Sequence, residues 1–115
     1  MAADEKRDTE RMSILGELAG EIMRFEPMLI REIGRGGVTI ETRFPLHLNS
    51  LHDVRLMLGG RPVVVKGRVV HSRICDVDQE LVSYSTGMEF VEPAEHVIEA
   101  IVEFLQTVQA DRAGV

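Results

Sequence analysis

The sequence predicts a mainly β fold, a small six-stranded antiparallel β-barrel finished by one C-terminal α-helix. Three observations lead there. Short stretches alternating apolar and polar residues recur between breaks marked by Gly and Pro. The clearest run at helical spacing comes last, after Pro93, with Val97, Ile98, Ile101, Phe104, Leu105 and Val108 on one face. And 115 residues make one domain, because domains typically run to roughly 100–150 residues.

The first strand begins near Ser13, where Ile14, Leu18 and Ile22 alternate with Glu17 and Glu21; a helix competes for this stretch until Pro27 ends it. Met28–Ile33 reads as a second strand. Gly34-Arg35-Gly36-Gly37 follows, where three glycines in four residues give access to positive φ and place a tight reversal. Val38–Thr42 alternates with period two, and Pro45 closes it. Val54, Leu56 and Leu58 share a face of the fourth strand, and Gly59-Gly60 is a two-residue hairpin signal. The fifth strand runs from Val63 to Ile74, with a bend or bulge expected at Gly67. Asp76–Glu80 reads as an acidic loop. Val82, Tyr84, Thr86, Met88 and Phe90 then share one face of the sixth strand. Pro93 at the first turn and carboxylates near the positive dipole end open the helix, expected at about 93–109.

Before Met12 nothing apolar follows Ala3, and residues 4–11 carry seven charged side chains. Such a segment buries too little surface to offset its ordering entropy. The chain therefore divides into a charged flexible arm over 1–12 and a barrel-plus-helix domain over 13–110.

Composition narrows the function. Thirteen Lys+Arg against nineteen Asp+Glu give a net charge of −6, which argues against coating a DNA or RNA polymer, where phosphate neutralisation supplies most of the affinity. Only Phe25, Phe44, Phe90, Phe104 and Tyr84 are aromatic, which argues against a base-stacking surface. Cys75 stands alone, so no disulfide forms within the chain and no cysteine-based zinc site is possible. No run approaches the roughly 18 apolar residues of a membrane span. The charged N-terminus is unlike a signal peptide, so the cytoplasm is the expected compartment.

No catalytic set emerges. His47, His52, His71 and His96 read as lone structural or surface histidines, and Ser83 and Ser85 lack a nucleophile-elbow context. Asp76, Asp78 and Glu80 lack the glycine turn and distal Glu of a calcium loop. The chain is therefore expected to be no enzyme, with no metal and no cofactor.

Four pieces in order carry a resemblance. Arg7-Asp8-Thr9-Glu10-Arg11 holds an Arg-x-x-x-Arg pair in the arm. The turn reads Glu32-Ile33-Gly34-Arg35-Gly36-Gly37. A Val-Lys-Gly-Arg-Val-Val stretch spans Val65 to Val70, and Ser-Thr-Gly-Met-Glu-Phe spans Ser85 to Phe90. Over roughly residues 7–108 the chain resembles the PilZ domain family. The resemblance implies a six-stranded barrel that serves as a receptor for cyclic di-GMP and passes the signal to a protein partner. It assigns Arg7 and Arg11 to phosphates and guanine faces, and Glu32, Gly34 and Gly37 to a guanine edge and a phosphate. Arg suits this work because its planar fork matches phosphate oxygens and stacks on purines. Glu32 stands where the family pattern has Asp or Asn, and Gly34 where it has Ser. A second reading stays open beside the first: a PilZ-like protein-interaction module that does not bind the nucleotide and acts in pilus, flagellar or exopolysaccharide machinery.

Overall fold

The computed structural model describes residues 11–22 and 26–113. The six strands among them are β1 (Arg11–Ile22), β2 (Glu26–Gly34), β3 (Gly37–Thr42), β4 (Leu51–Leu58), β5 (Arg61–Asp78) and β6 (Leu81–Phe90), followed by helix α1 (Glu95–Ala113). They form a closed antiparallel barrel in the order β1-β2-β3-β6-β5-β4. The ring shuts where Gly20, Glu21 and Ile22 of β1 pair with Leu56, Arg55 and Val54 of β4. The expected fold class is the observed one.

Alternation does what the pattern promised. Ile30, Ile33, Val38, Ile40, Val54, Leu56, Val69 and Met88 point inward and are fully buried. Val97, Ala100 and Ile101 of α1 are buried with them, and Phe104 and Leu105 pack against the same core. The helix thus covers apolar surface that the barrel alone would leave wet. It begins at Glu95, two residues later than expected, because Ala94 is its cap: the Ala94 carbonyl accepts from Val97 N at 3.0 Å and Ile98 N at 3.1 Å. It runs past the expected end, and there Arg112 donates to the backbone carbonyl of Ser13 on β1.

Several local expectations are corrected. β1 starts at Arg11, two residues inside the stretch read as an arm; residues 1–10, and with them Arg7, lie outside the described residues. The helix that competed for β1 does not form. Its spacing of four is also a multiple of two, and an irregularity sits between Ser13 and Leu18, where five steps on β1 (Ser13↔Glu32 to Leu18↔Ile30) match two on β2. The β2–β3 reversal at Arg35 and Gly36 uses no positive φ: among described glycines only Gly59 (58°) and Gly60 (83°) have one. Those two form the β4–β5 hairpin, as two-residue turns with φ > 0 at both positions do.

β5 does not bulge at Gly67. That residue stays in register between His52 and Phe90, and its missing Cβ makes room for Met88, whose Cε would lie 3.0 Å away. The shifts fall between Val69 and His71 and between Ile74 and Asp76, leaving Val70 and Cys75 out of the ladder. Nor are Asp76 and Asp78 in a loop. They pair with Ser83 and Leu81, so only Gln79 (φ 56°) and Glu80 turn the chain.

Candidate functional site

Arg11 is the side chain around which the site is built. β1 sets its backbone opposite Gly34 of β2, and its guanidinium reaches across the outer face of the barrel. Nη1 donates to Thr39 Oγ1 at 3.1 Å, and Nη2 to the Met88 carbonyl at 3.4 Å. Gly37 lies beneath. A Cβ there would sit 2.2 Å from the Met88 carbonyl oxygen and 3.0 Å from Arg11 Nη2. Glycine is required here for close approach, not for φ. Thr39 faces outward because Val38 and Ile40 on either side face the core, yet it is buried, as the Arg11 hydrogen bond requires.

Beside this docked guanidinium lies an open cleft of about 700 Å³. Ser13 of β1, Arg31 and Glu32 of β2 and Thr39 of β3 line one side; His71, Ser72 and Arg73 of β5 and Ser85 of β6 line the other. Ligand clefts commonly enclose roughly 300–1,000 Å³. Ser72 is held by a 3.1 Å hydrogen bond between its Oγ and Thr86 Oγ1. Arg31 leans on Glu41 at 3.2 Å, a half-exposed pair worth little to stability but enough to set a direction. The His71 ring lies flat against Gly87 of β6, where a Cβ would fall 2.1 Å from Nε2. Gly87 therefore works as the seat of an imidazole.

Among the described residues, Cys75 and His52 are the groups whose titration the fold moves. Burial, then the carboxylates of Glu41 and Asp76, push the Cys75 thiol above its ordinary range; its Sγ lies 3.8 Å from Glu41 Oε1. Burial lowers the pKa of His52, whose Nε2 lies 2.8 Å from Ser50 Oγ. Neither lines the cleft.

Of the residues the resemblance nominated, Arg11 and Gly37 are in contact and Glu32 is half-buried in the cleft wall. Gly34 is buried in the β1–β2 pairing opposite Arg11 and does not line the cleft. Sequence reasoning missed Arg31, Thr39, His71 and Arg73. The hydrogen bonds of Arg11 cross 28 and 77 positions of the chain, and only strand register brings such residues together. A signal for His71 existed in principle, since Gly87 interrupts an otherwise well-formed strand and asks what lies over it.

Chemically the cleft offers guanidinium forks for an anion, a carboxylate for a base N–H edge, and an imidazole face for a planar ring. No helix of the described residues is long and apolar enough to cross a membrane.

Comparison with known proteins agrees with this architecture. No curated protein sequence matches the chain. Among solved structures, K. pneumonia MrkH in its apo state superposes with a TM-score of 0.69 at 18% identity, covering 90% of this chain and 52% of that one. Bacillus subtilis Inhibitor of motility (MotI/DgrA) gives 0.68 at 16% identity, covering 88% of this chain and 49% of that one. MrkH in complex with c-di-GMP gives 0.67 at 18% identity, covering 90% and 53%. The chain thus spans about half the length of these proteins, and at such identities the likeness is one of fold. The PilZ domain family model matches residues 5–107, nearly the whole chain. With the six-stranded ring and the arginine-bearing first strand already in place, this match settles the family: the chain belongs to the PilZ domain family.

Proposed function

We propose that this chain is a cyclic di-GMP receptor that relays occupancy of its cleft to a protein partner. One observation carries the reading: Arg11 is held on the Thr39–Gly37 floor at the rim of a cleft containing Arg31, Glu32, His71 and Arg73. A cyclic dinucleotide presents two phosphodiesters and two planar bases. The arginines suit the former; Glu32 and His71 suit the latter. The family membership and the solved complex of MrkH with c-di-GMP support the same ligand. Arg7, four positions before Arg11, is assigned the second phosphate grip. The reading is of a binding protein with no catalytic step, working in the cytoplasm. Calorimetric titration of cyclic di-GMP into the full chain tests it: one saturable binding event is expected, weakening with added salt, and no heat would refute it.

The protein-interaction reading has an observation of its own. Gly34, where the family pattern has Ser, is buried in strand pairing and offers no hydroxyl. Were the missing hydroxyl the whole defect, Glu32→Asp with Gly34→Ser would tighten binding by about tenfold, since a neutral hydrogen bond adds roughly 0.5–1.5 kcal/mol. Gly34 does not line the cleft, so this reading expects no such gain. Gly34 lacks a positive φ, so the backbone itself accepts Ser. A folded double variant with no binding heat favours the module without nucleotide.

A further inference from the structure

The β5–β6 hairpin is longer than the barrel needs. β4 pairs with β5 only as far as Leu51↔Arg68, and the last backbone bonds on that side join Val69 to Asn49 and Ser50. β6 accompanies β5 all the way to Asp78↔Leu81. Among the described residues, therefore, nothing pairs with the β4-side edge of β5 from His71 to Asp78. Such an edge presents a row of unpaired N–H and C=O groups to any other strand.

The edge is also where apolar surface collects. Of the eight large apolar side chains exposed among the described residues, Leu48, Leu51, Val70, Ile74, Val77 and Leu81 lie along it or at its ends. Its polar groups are sorted by position, with the imidazole of His71 and the guanidinium of Arg73 at one end and the carboxylates of Asp76 and Asp78 at the other. The bulge at Cys75 keeps all four on one face, because Arg73 pairs with Ser85 and Asp76 with Ser83, two positions apart on β6.

We infer that this edge joins a second copy of the chain, β5 to β5, antiparallel about a two-fold axis. With the bulged Cys75 outside the ladder, an axis through Ile74 sets Arg73 opposite Asp76 of the second copy and His71 opposite its Asp78. Ile74 meets its own counterpart. An isologous contact requires such self-complementarity, and a strand whose basic half faces its own acidic half has it. Antiparallel pairing also buries the exposed Ile74 against its counterpart and the exposed Val77 beside Ser72 of the second copy, as strand addition does.

Sedimentation of the full chain without nucleotide at micromolar concentrations tests this inference independently of cyclic di-GMP binding. A dimer is expected. Arg73→Asp alone and Asp76→Arg alone each give monomers, because each places like charges across the axis. An equimolar mixture of the two restores the dimer, since each substituted residue then faces an opposite charge. Ile74→Lys, at an exposed position that leaves the core intact, also gives a monomer. A dimer indifferent to these substitutions overturns the inference, as does a parent chain that stays monomeric. In that monomer, slow amide exchange over 74–78 would assign the edge to another part of the chain, and fast exchange would leave it for a different protein.

Discussion

At Arg11 a charged side chain is held in place before any ligand arrives. Among the described residues its acceptors, Thr39 Oγ1 and the Met88 carbonyl, are neutral and satisfy donors without neutralising the charge. Arg11→Ala should weaken cyclic di-GMP binding by about 10–100-fold, since a hydrogen bond to a charged group contributes roughly 1.5–3 kcal/mol. Thr39→Val should cost less, about 2–10-fold, and most of its effect should vanish in an Arg11→Ala background, because the Thr39 hydroxyl accepts from Arg11. Calorimetry on the four proteins of that cycle checks both statements. His71 and Gly87 make a second coupled pair. Gly87→Ala drives a methyl into the imidazole, which is exposed and swings away at small cost. Binding to His71→Ala and to His71→Ala with Gly87→Ala should then be equal, while Gly87→Ala alone weakens it.

Two kinds of glycine serve the strands and turns. Gly59 and Gly60 have open space around their Cβ positions but left-handed backbones, so an alanine there meets strain and no clash. Gly59→Ala and Gly60→Ala should each destabilise by about 1–2 kcal/mol, read as a shift in urea midpoint, with nucleotide affinity unchanged. Gly37 is the reverse case, ordinary in φ and crowded in space. Composition displays every glycine alike, and the hairpin pair was legible because Gly-Gly between two alternating runs has one common use. The role of Gly37 was not, because it depends on which carbonyl the register brings overhead. The bulges at Val70 and Cys75 were hidden for the same reason. Both interrupt an apparently regular strand, whereas Gly67, which looked like the interruption, is in perfect register with two neighbours.

For the molecule as a whole, the alternation of Val63, Val65 and Val69 or of Val38 and Ile40 was enough to read barrel and core, since inward positions of a small closed sheet have to be apolar. The cleft is an outward feature assembled from five strands, and outward residues carry no periodic signal of what they face across the sheet. Stability against pH is likewise a property of the whole fold. Burial holds His52 below its ordinary 6.5, so the unfolded chain takes up that proton at higher pH than the folded one. Its contribution is complete above pH 6.5 and declines as pH falls through that value toward the folded pKa. Urea unfolding of the parent and of His52→Gln at about pH 7.5 and pH 5.5 should show a smaller acid loss in the variant.

Among the described residues the ring shuts through Gly20, Glu21 and Ile22, and Gly20 is there because a Cβ would sit 2.8 Å from the Arg55 carbonyl of β4. That closure joins positions far apart in the chain, while the β2–β3, β4–β5 and β5–β6 hairpins need only local turns. Loop-closure entropy makes such a junction late to form and, on the way out, early to part. When β1 peels away it takes Arg11 with it, so the proposed grip on the nucleotide is lost while most of the barrel still stands. A ligand holding Arg11 against β3 and β6 then acts as a latch. It slows the escape of β1 and leaves the assembly of the remaining strands at its own pace, so in stopped-flow kinetics saturating cyclic di-GMP lowers the unfolding rate with little change in the folding rate.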